Sequence, residues 1–309
     1  MLSDLRSGID ILRREGVREL LIRTQDYLAW QLERLIKQAR LTTFRIKTRI
    51  TGRSVTHQEI AGNVMELDAR KAGINQELLI NGIRESASTA YYQSVLNRFN
   101  AYGDESPIVM DIGANIGYFA LIAADYLEDS TVYAFEPGPD NLEQLYRNIE
   151  LNDYESQIIV INKAVGSELG TAELHISGAS NHHSVAASPN ADSIQVDLTT
   201  VNKFISQQEV DDSTPVIIRM DVEGYEMNVF EGMTDIFSSS RPIYLFAEVH
   251  AHKTKVNNSE LLDMIDTAGF NLEYVAVDNG DTPQICTSFK SLHSMESNYH
   301  IFLSKNMHI

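Results

Sequence analysis

From Ile108 onward the chain alternates short apolar runs with segments whose apolar positions recur every three to four residues. The runs 108–112, 131–136, 157–163, 215–220 and 243–247 predict strands, and the segments 117–127, 140–149, 201–206, 225–230 and 259–268 predict helices. Pro137-Gly138-Pro139 leads into the second of these helices, and Gly269 closes the last as its C-terminal cap. Such alternation predicts successive βα units with right-handed crossovers. The parallel pattern is interrupted by an extra strand at 171–176 and a long polar loop, Ser177 to Asp192, of a length that is usually functional or mobile. It resumes at 194–198, and two final strands, 272–277 and 299–303, are expected to pair antiparallel.

Before Ile108 the pattern is less regular. Between Ser7 and Arg40, Val17, Leu20, Leu21, Leu28, Leu32 and Leu35 share one helical face, with six cations largely around them. One or two amphipathic helices follow, carrying Tyr27 and Trp30, whose apolar stripe packs on the chain's own body or a second copy, or lies on an anionic membrane or another partner. Residues 52–63 read as irregular connection, 63–67 as a short strand, and 73–99 as helix in pieces, broken at Asn81-Gly82. Arg84-Glu85-Ser86 lies between two helical stretches, and Tyr102–Pro107 is a turn-rich hinge. The expected division is a helical extension at 1–50, a mixed helix and strand cap at 51–106, and an α/β core at 107–309.

Composition sharpens this division. Residues 1–50 carry a net charge of +5 and the remainder −23, which marks the extension as an attachment. A formal charge of −18 argues against a general nucleic-acid binder, because phosphate contacts need clustered Lys and Arg. The single cysteine, Cys286, excludes an intramolecular disulfide and is expected to be a half-buried strand residue. No apolar run approaches a membrane span and no signal-peptide core is evident, so a cytoplasmic protein is expected, with peripheral membrane or homo-oligomer contact through the extension.

The chemistry centres on Val109 to Gly117, where an apolar run ends on Asp111 and a turn bearing Gly113, Ala114, Asn115 and Gly117 leads into a helix at Tyr118. Glycines there suit a sharp reversal and a close approach of backbone N–H groups to a ligand. Glu136, at the tip of the next strand and followed by Pro137, stands at the offset where dinucleotide-type folds place a carboxylate on ribose hydroxyls. The second glycine of a pyrophosphate fingerprint and a Walker lysine are both missing. A cofactor with adenosine but no phosphate, S-adenosylmethionine, therefore fits best, and a nicotinamide dehydrogenase is the weaker enzymatic rival.

Asp111, Glu136, Asp221, Glu248 and His250 all fall at strand ends, where ligands sit in doubly wound sheets. His250 has the intrinsic pKa of a general base, and Glu248, two residues earlier on a strand, points the same way to bind substrate or orient the imidazole. Asp221 and Glu223 supply further carboxylates for sugar hydroxyls or for the cofactor's positive charge. His182, His183, His250 and His252 lack a metal-binding spacing, so no metal is expected. His182-His183-Ser184 reads as a flexible flap over the acceptor or as plain exposed loop.

Four blocks in order, Asp111–Tyr118, Phe135-Glu136-Pro137, Asp221–Glu226 and Glu248-Val249-His250, make the sequence resemble the FkbM-like family of S-adenosylmethionine-dependent methyltransferases. The resemblance covers about residues 60 to 304 and leaves 1–50 outside. It implies a Rossmann-like α/β fold, doubly wound, with a mostly parallel seven-stranded sheet and one antiparallel strand. It also implies O-methylation of a sugar, glycan or lipid-linked saccharide hydroxyl. Thr200-Val201-Asn202 and Arg219 depart from the family pattern without touching the expected cofactor site. Two alternatives stay open: methyl-ester formation on a uronic acid carboxylate, which needs no base, and a non-catalytic interaction protein docking through its basic helix.

Overall fold

A computed structural model describes residues 28, 32, 35–102, 106–176, 184–185, 192–208, 210–251, 258–277, 288–295 and 297–307. Its centre is a seven-stranded sheet in the order β11-β12-β10-β9-β3-β4-β5. Here β3 is Ile108–Ile112, β4 Val132–Phe135, β5 Ile158–Ile161, β9 Val216–Met220, β10 Ile243–Val249, β11 Asn271–Val277 and β12 Tyr299–Lys305. The pairs β3–β4, β4–β5, β3–β9 and β9–β10 are parallel, and only β12, between β10 and β11, runs against its neighbours. The fold is thus the doubly wound α/β sheet with one antiparallel strand.

The central strands are largely apolar because both faces are covered. On β9, Ile217 packs into one layer with Val109, Phe246 and Phe302, while Val216, Ile218 and Met220 pack into the other with Met110, Leu245 and Phe230. The first layer holds α3 (Ser86–Tyr102), α4 (Tyr118–Tyr126) and α5 (Pro139–Glu150); the second holds α6 (Val201–Ser206), α7 (Glu226–Glu231), α8 (Thr234–Ser238) and α9 (Asn258–Thr267). α4 is so deeply enclosed that Tyr118 through Ala124 are all buried.

Three segments depart from the sequence expectation. Residues 55–60, expected as connection, form β1 (Val55–Ile60), which pairs with β2 (Asn63–Asp68) as an antiparallel hairpin. Ala61 and Gly62 close it with φ of 50° and 89°, the left-handed pair of a two-residue hairpin turn. Residues 192–199 are not a main-sheet strand. As β8 (Asp192–Thr199) they join β6 (Ala164–Val165) and β7 (Gly170–Ile176) in a separate three-stranded sheet. The N-terminal helix, expected to end near Arg40, runs on as α1 over 35–51. A short α2 (Ile74–Asn81), ended by Gly82 with φ 70°, and α10 (Phe289–Leu292) complete the elements.

The chain passes from β3 out to β5 and then returns to β9 on the other side of β3. A crevice therefore opens at the carboxyl ends of β3 and β9, where the strand order switches. No helix among the described residues is long and apolar enough to cross a membrane.

Candidate active site

A cleft of about 530 Å³ opens at that switch point. Its walls come from the β3 turn (Ile112, Gly113, Asn115), the end of β4 (Phe135, Glu136, Pro137), the residues after β5 (Lys163–Val165) and the segment after β9 (Val222, Glu223, Tyr225). Leu174 and Val185, from the three-stranded sheet and the long loop, close the outer side.

Glu136 sits in this wall, 4% exposed. Its Oε2 accepts a hydrogen bond from the Asn115 amide at 2.8 Å, and its Oε1 accepts from the Gly138 amide at 2.7 Å and from Asn141 Nδ2 at 3.4 Å. A carboxylate offers about four acceptor positions. The cradle therefore fixes the carboxylate while leaving Oε2 able to take a ribose hydroxyl, and the long Asn141 bond is the one a second hydroxyl would replace. Burial outweighs these hydrogen bonds and pushes the Glu136 pKa from 4.5 to about 7. Asn115 holds φ 53°, a left-handed conformation that costs a non-glycine residue energy and aims its N–H at the carboxylate.

Gly113 also has a packing role beside the one its position suggested. With φ 81°, a Cβ there would lie 2.0 Å from the Asp221 carbonyl oxygen. The missing side chain thus lets the β3 turn close on the end of β9. At Gly117, φ 93°, a Cβ would meet Leu145 Cδ1 at 2.7 Å, so this glycine seats α4 against α5.

Of the residues expected at the cofactor, Gly113, Asn115, Glu136 and Pro137 line the cleft, and Asp111, Ala114, Gly117, Tyr118 and Asp221 lie outside its lining. Asp111 is 1% exposed, with Oδ1 3.4 Å from Arg219 Nη1. The Tyr118 hydroxyl points away from the turn to Thr89 Oγ1 at 3.2 Å. Ala114 donates its amide to the Phe135 carbonyl. Arg219 was expected to stand clear of the site. It is instead 3% exposed beneath the turn, donating from Nη1 to the Gly113 carbonyl at 3.1 Å and from Nη2 to Asp221 at 3.1 Å, with its guanidinium 4.4 Å from the Phe119 ring centroid.

Behind the cleft lies a buried network of charge. Arg84, from the loop before α3, reaches Asp221 Oδ2 at 3.2 Å, Glu248 Oε2 at 3.8 Å and Glu77 at 3.8 Å, and its Nε bonds Glu85. His300 on β12 meets Ser88 Oγ at 3.0 Å, and its Nε2 lies 3.4 Å from both Glu85 and Glu248. Asp221 is pushed up to about 7 by burial and by Glu248, with Arg219 working the other way. Glu248 is held well below the usual carboxylate range because hydrogen bonds from His250 and His300 overcome its burial. Arg84 and His300 carry no sequence signal for this site, since one is a loop residue and the other lies on the antiparallel strand.

His250, expected as a general base, stands among carboxylates. Its Nδ1 is 2.7 Å from Glu226 Oε1, and its Nε2 is 3.3 Å from Glu223 and 3.2 Å from Glu248. Burial alone would lower its pKa, but Glu226 and Glu248 raise it to about 11. The imidazole is a cation among carboxylates and has no lone pair with which to take a proton. Glu223, with φ 54° ahead of Gly224 at 101°, lines the cleft, and its Oε2 meets His250, which lies outside the lining. Asp221 and Glu248 converge with His250 within 4.8 Å, a juxtaposition that linear histidine spacing could not reveal. Ser184 donates to the Glu223 carbonyl at 2.8 Å and Val185 lines the cleft, so the polar loop does reach the site. His182, His183, His252 and Cys286 lie outside the described residues.

Residues 111–272 match the model of the FkbM methyltransferase domain. The chain is similar to the hexuronic acid methyltransferase AglP of Haloferax volcanii, 27% identical over 161 residues that cover 52% of this chain and 62% of that protein. It is also similar to Methyltransferase 1 of Beauveria bassiana, 30% identical over 155 residues, 43% of this chain and 61% of the other. The chain thus spans about three fifths of the length of these relatives. Among solved structures, M. jannaschii TYW2 in complex with AdoMet aligns with a TM-score of 0.38 at 18% identity, covering 81% of this chain and 84% of that one. A SAM-dependent methyltransferase from Agrobacterium tumefaciens aligns with a TM-score of 0.45 at 11% identity, covering 82% and 71%.

Proposed function

The chain belongs to the FkbM methyltransferase family, and from that premise we propose that its cleft binds S-adenosylmethionine and that it methylates an oxygen of a sugar acceptor. The observation that carries this reading is the carboxylate of Glu136, buried in the cleft wall and fixed there by two backbone amides. Bound S-adenosylmethionine supplies a methyl group made electrophilic by its sulfonium. Glu136 receives the ribose hydroxyls, and the β3 turn with Asn115 supports the same end of the cleft.

Acceptor chemistry falls to Glu223, which lines the cleft. A sugar hydroxyl donating to Glu223 is oriented for in-line attack and can pass its proton to that carboxylate as the new bond forms. His250 is a positioning residue: its imidazolium holds Glu223 and Glu248 together, and Glu226 fixes the ring from behind. Geometry favours Glu223 over His250 because a group that takes a proton must first reach it. Glu223→Gln keeps size and hydrogen bonding but removes the charge. It should lower turnover about 10²- to 10⁴-fold with S-adenosylmethionine affinity unchanged. Turnover within tenfold of the parent chain would remove Glu223 from this role.

A second reading, methyl-ester formation on a uronic acid, is supported by the surroundings of His250: Glu226, Glu223 and Glu248 hold its imidazole as a cation, and a carboxylate acceptor needs no base. The hexuronic acid named for the Haloferax relative makes a uronic sugar the first acceptor to try. Incubation with methyl-labelled S-adenosylmethionine and uronic acid oligosaccharides, followed by mild alkali, separates the two. Label that stays on the sugar supports an ether; label released as methanol supports an ester. No transfer to any saccharide would sink both.

A further inference from the structure

The exposed face of α1 carries chemistry that methyl transfer does not use. Leu28, Leu32, Leu35, Ile36, Ile46 and Ile50 are 45–78% exposed. At about 100° per residue they fall within roughly a third of the helix circumference. The opposite face is the one that meets the body: Leu41, Phe44 and Thr48 are half-buried, Phe44 packs against the core layer, and Arg40 donates to the Ile80 carbonyl at 2.6 Å. The helix is therefore held by one side and presents two apolar clusters on the other, around Leu35-Ile36 and around Ile46 and Ile50, joined by Ala39, Thr42 and Thr43.

Cations flank that face, Arg45 and Arg49 along one edge and Lys47 along the other, all exposed. From residue 34 to residue 58 the sequence has seven Lys or Arg and no Asp or Glu, in a chain whose net charge is −18. We propose that α1 is a docking surface for an anionic lipid bilayer, lying in the interface plane with its aliphatic clusters among the acyl chains and its flanking cations at the headgroups. The charge pattern selects this occupant. A two-fold dimer through the same face would set the same cations against themselves. The strongly acidic body is repelled by an anionic surface while α1 is attracted, which orients the molecule with the helix toward the lipid.

Flotation of the full chain with lipid vesicles tests the proposal independently of the methyl-transfer reading, with S-adenosylmethionine binding measured separately on every variant. The parent chain should float with phosphatidylcholine vesicles containing about one quarter phosphatidylglycerol and bind pure phosphatidylcholine at least about tenfold more weakly, with the difference shrinking as salt is raised. The double substitution Ile46→Glu with Ile50→Glu should lower vesicle binding about tenfold or more. Both positions are exposed, so circular dichroism and cofactor affinity should stay as in the parent. Leu169→Glu, an exposed apolar site on the body at 58%, should leave vesicle binding unchanged. Equal binding to both vesicle types, no binding to either, or insensitivity to the double substitution would overturn the proposal. So would a dimer in light scattering that the double substitution dissolves, because a second copy would then cover the face.

Discussion

Glu136 shows how burial and function pull on one side chain in opposite directions. Its pKa of about 7 means the carboxylate is only partly ionised at neutral pH before a ligand arrives. Ribose hydroxyls donate to the ionised form, so binding selects it. Affinity for S-adenosylmethionine should tighten about tenfold between pH 6 and 8, following the rise in ionised fraction through a pKa near 7; a flat profile would place the titration elsewhere. For the ligand-free protein the sign reverses. A carboxyl raised from 4.5 to about 7 stabilises the fold below its unfolded value, and that contribution is lost as pH rises to about 7. His250 makes a second point at this scale. A surface base can be removed at little structural cost, but His250→Ala would leave Glu223, Glu226 and Glu248 without their shared cation. It should destabilise the protein by about 3–5 kcal/mol in denaturant unfolding, whereas a loss below about 1 kcal/mol would show that the network tolerates its absence.

At the scale of elements, the parallel strands were legible because each is a short, mostly apolar run, and burial on both faces imposes that pattern. β1 was not legible, since its exposed positions Val55, His57 and Glu59 alternate with half-buried or buried ones and leave no apolar run. Its partner β2 is held by side chains from a distant helix. Asn148 on α5 accepts from the Glu66 amide at 2.7 Å and donates to the Ile116 carbonyl at 2.8 Å, tying the hairpin to the β3 turn. Asn148→Ala would orphan both backbone groups and should cost about 1–3 kcal/mol or more in thermal or denaturant unfolding; a change within about 0.5 kcal/mol would mean water replaces the amide. β8 looked like a core strand from Ile194 to Leu198, yet Asp192–Gln195 are exposed and only its second half packs inward. Which sheet a strand joins depends on pairing with distant residues, and its own pattern does not carry that. The site divides the same way. Strand-end acids were readable because they follow apolar runs directly. The state of His250 was not, because it depends on Glu226 one helix away and Glu248 on its own strand.

Over the whole molecule, one mostly parallel sheet gathers residues far apart in the sequence. Glu136 and Glu223 end up on the walls of one cleft, with Arg219 and Arg84 knitting Asp111, Asp221 and Glu248 together beneath and behind it. On the proposed reading the arrangement separates two tasks in space: the β3–β4 side would receive the cofactor's sugar, and the β9–β10 side presents carboxylates around His250. The charge is divided too, with +5 on the first fifty residues and −23 on the rest, so the end proposed to dock and the body that holds the cleft differ in sign. The central claim is that S-adenosylmethionine binds in this cleft through Glu136, and calorimetric titration of the cofactor into the full chain and into Glu136→Ala tests it most directly. The account predicts one site per chain in the parent and an affinity about 10- to 150-fold weaker in the variant, the loss of hydrogen bonds to a charged group. Absence of binding in the parent, or equal affinity in the two proteins, would contradict it.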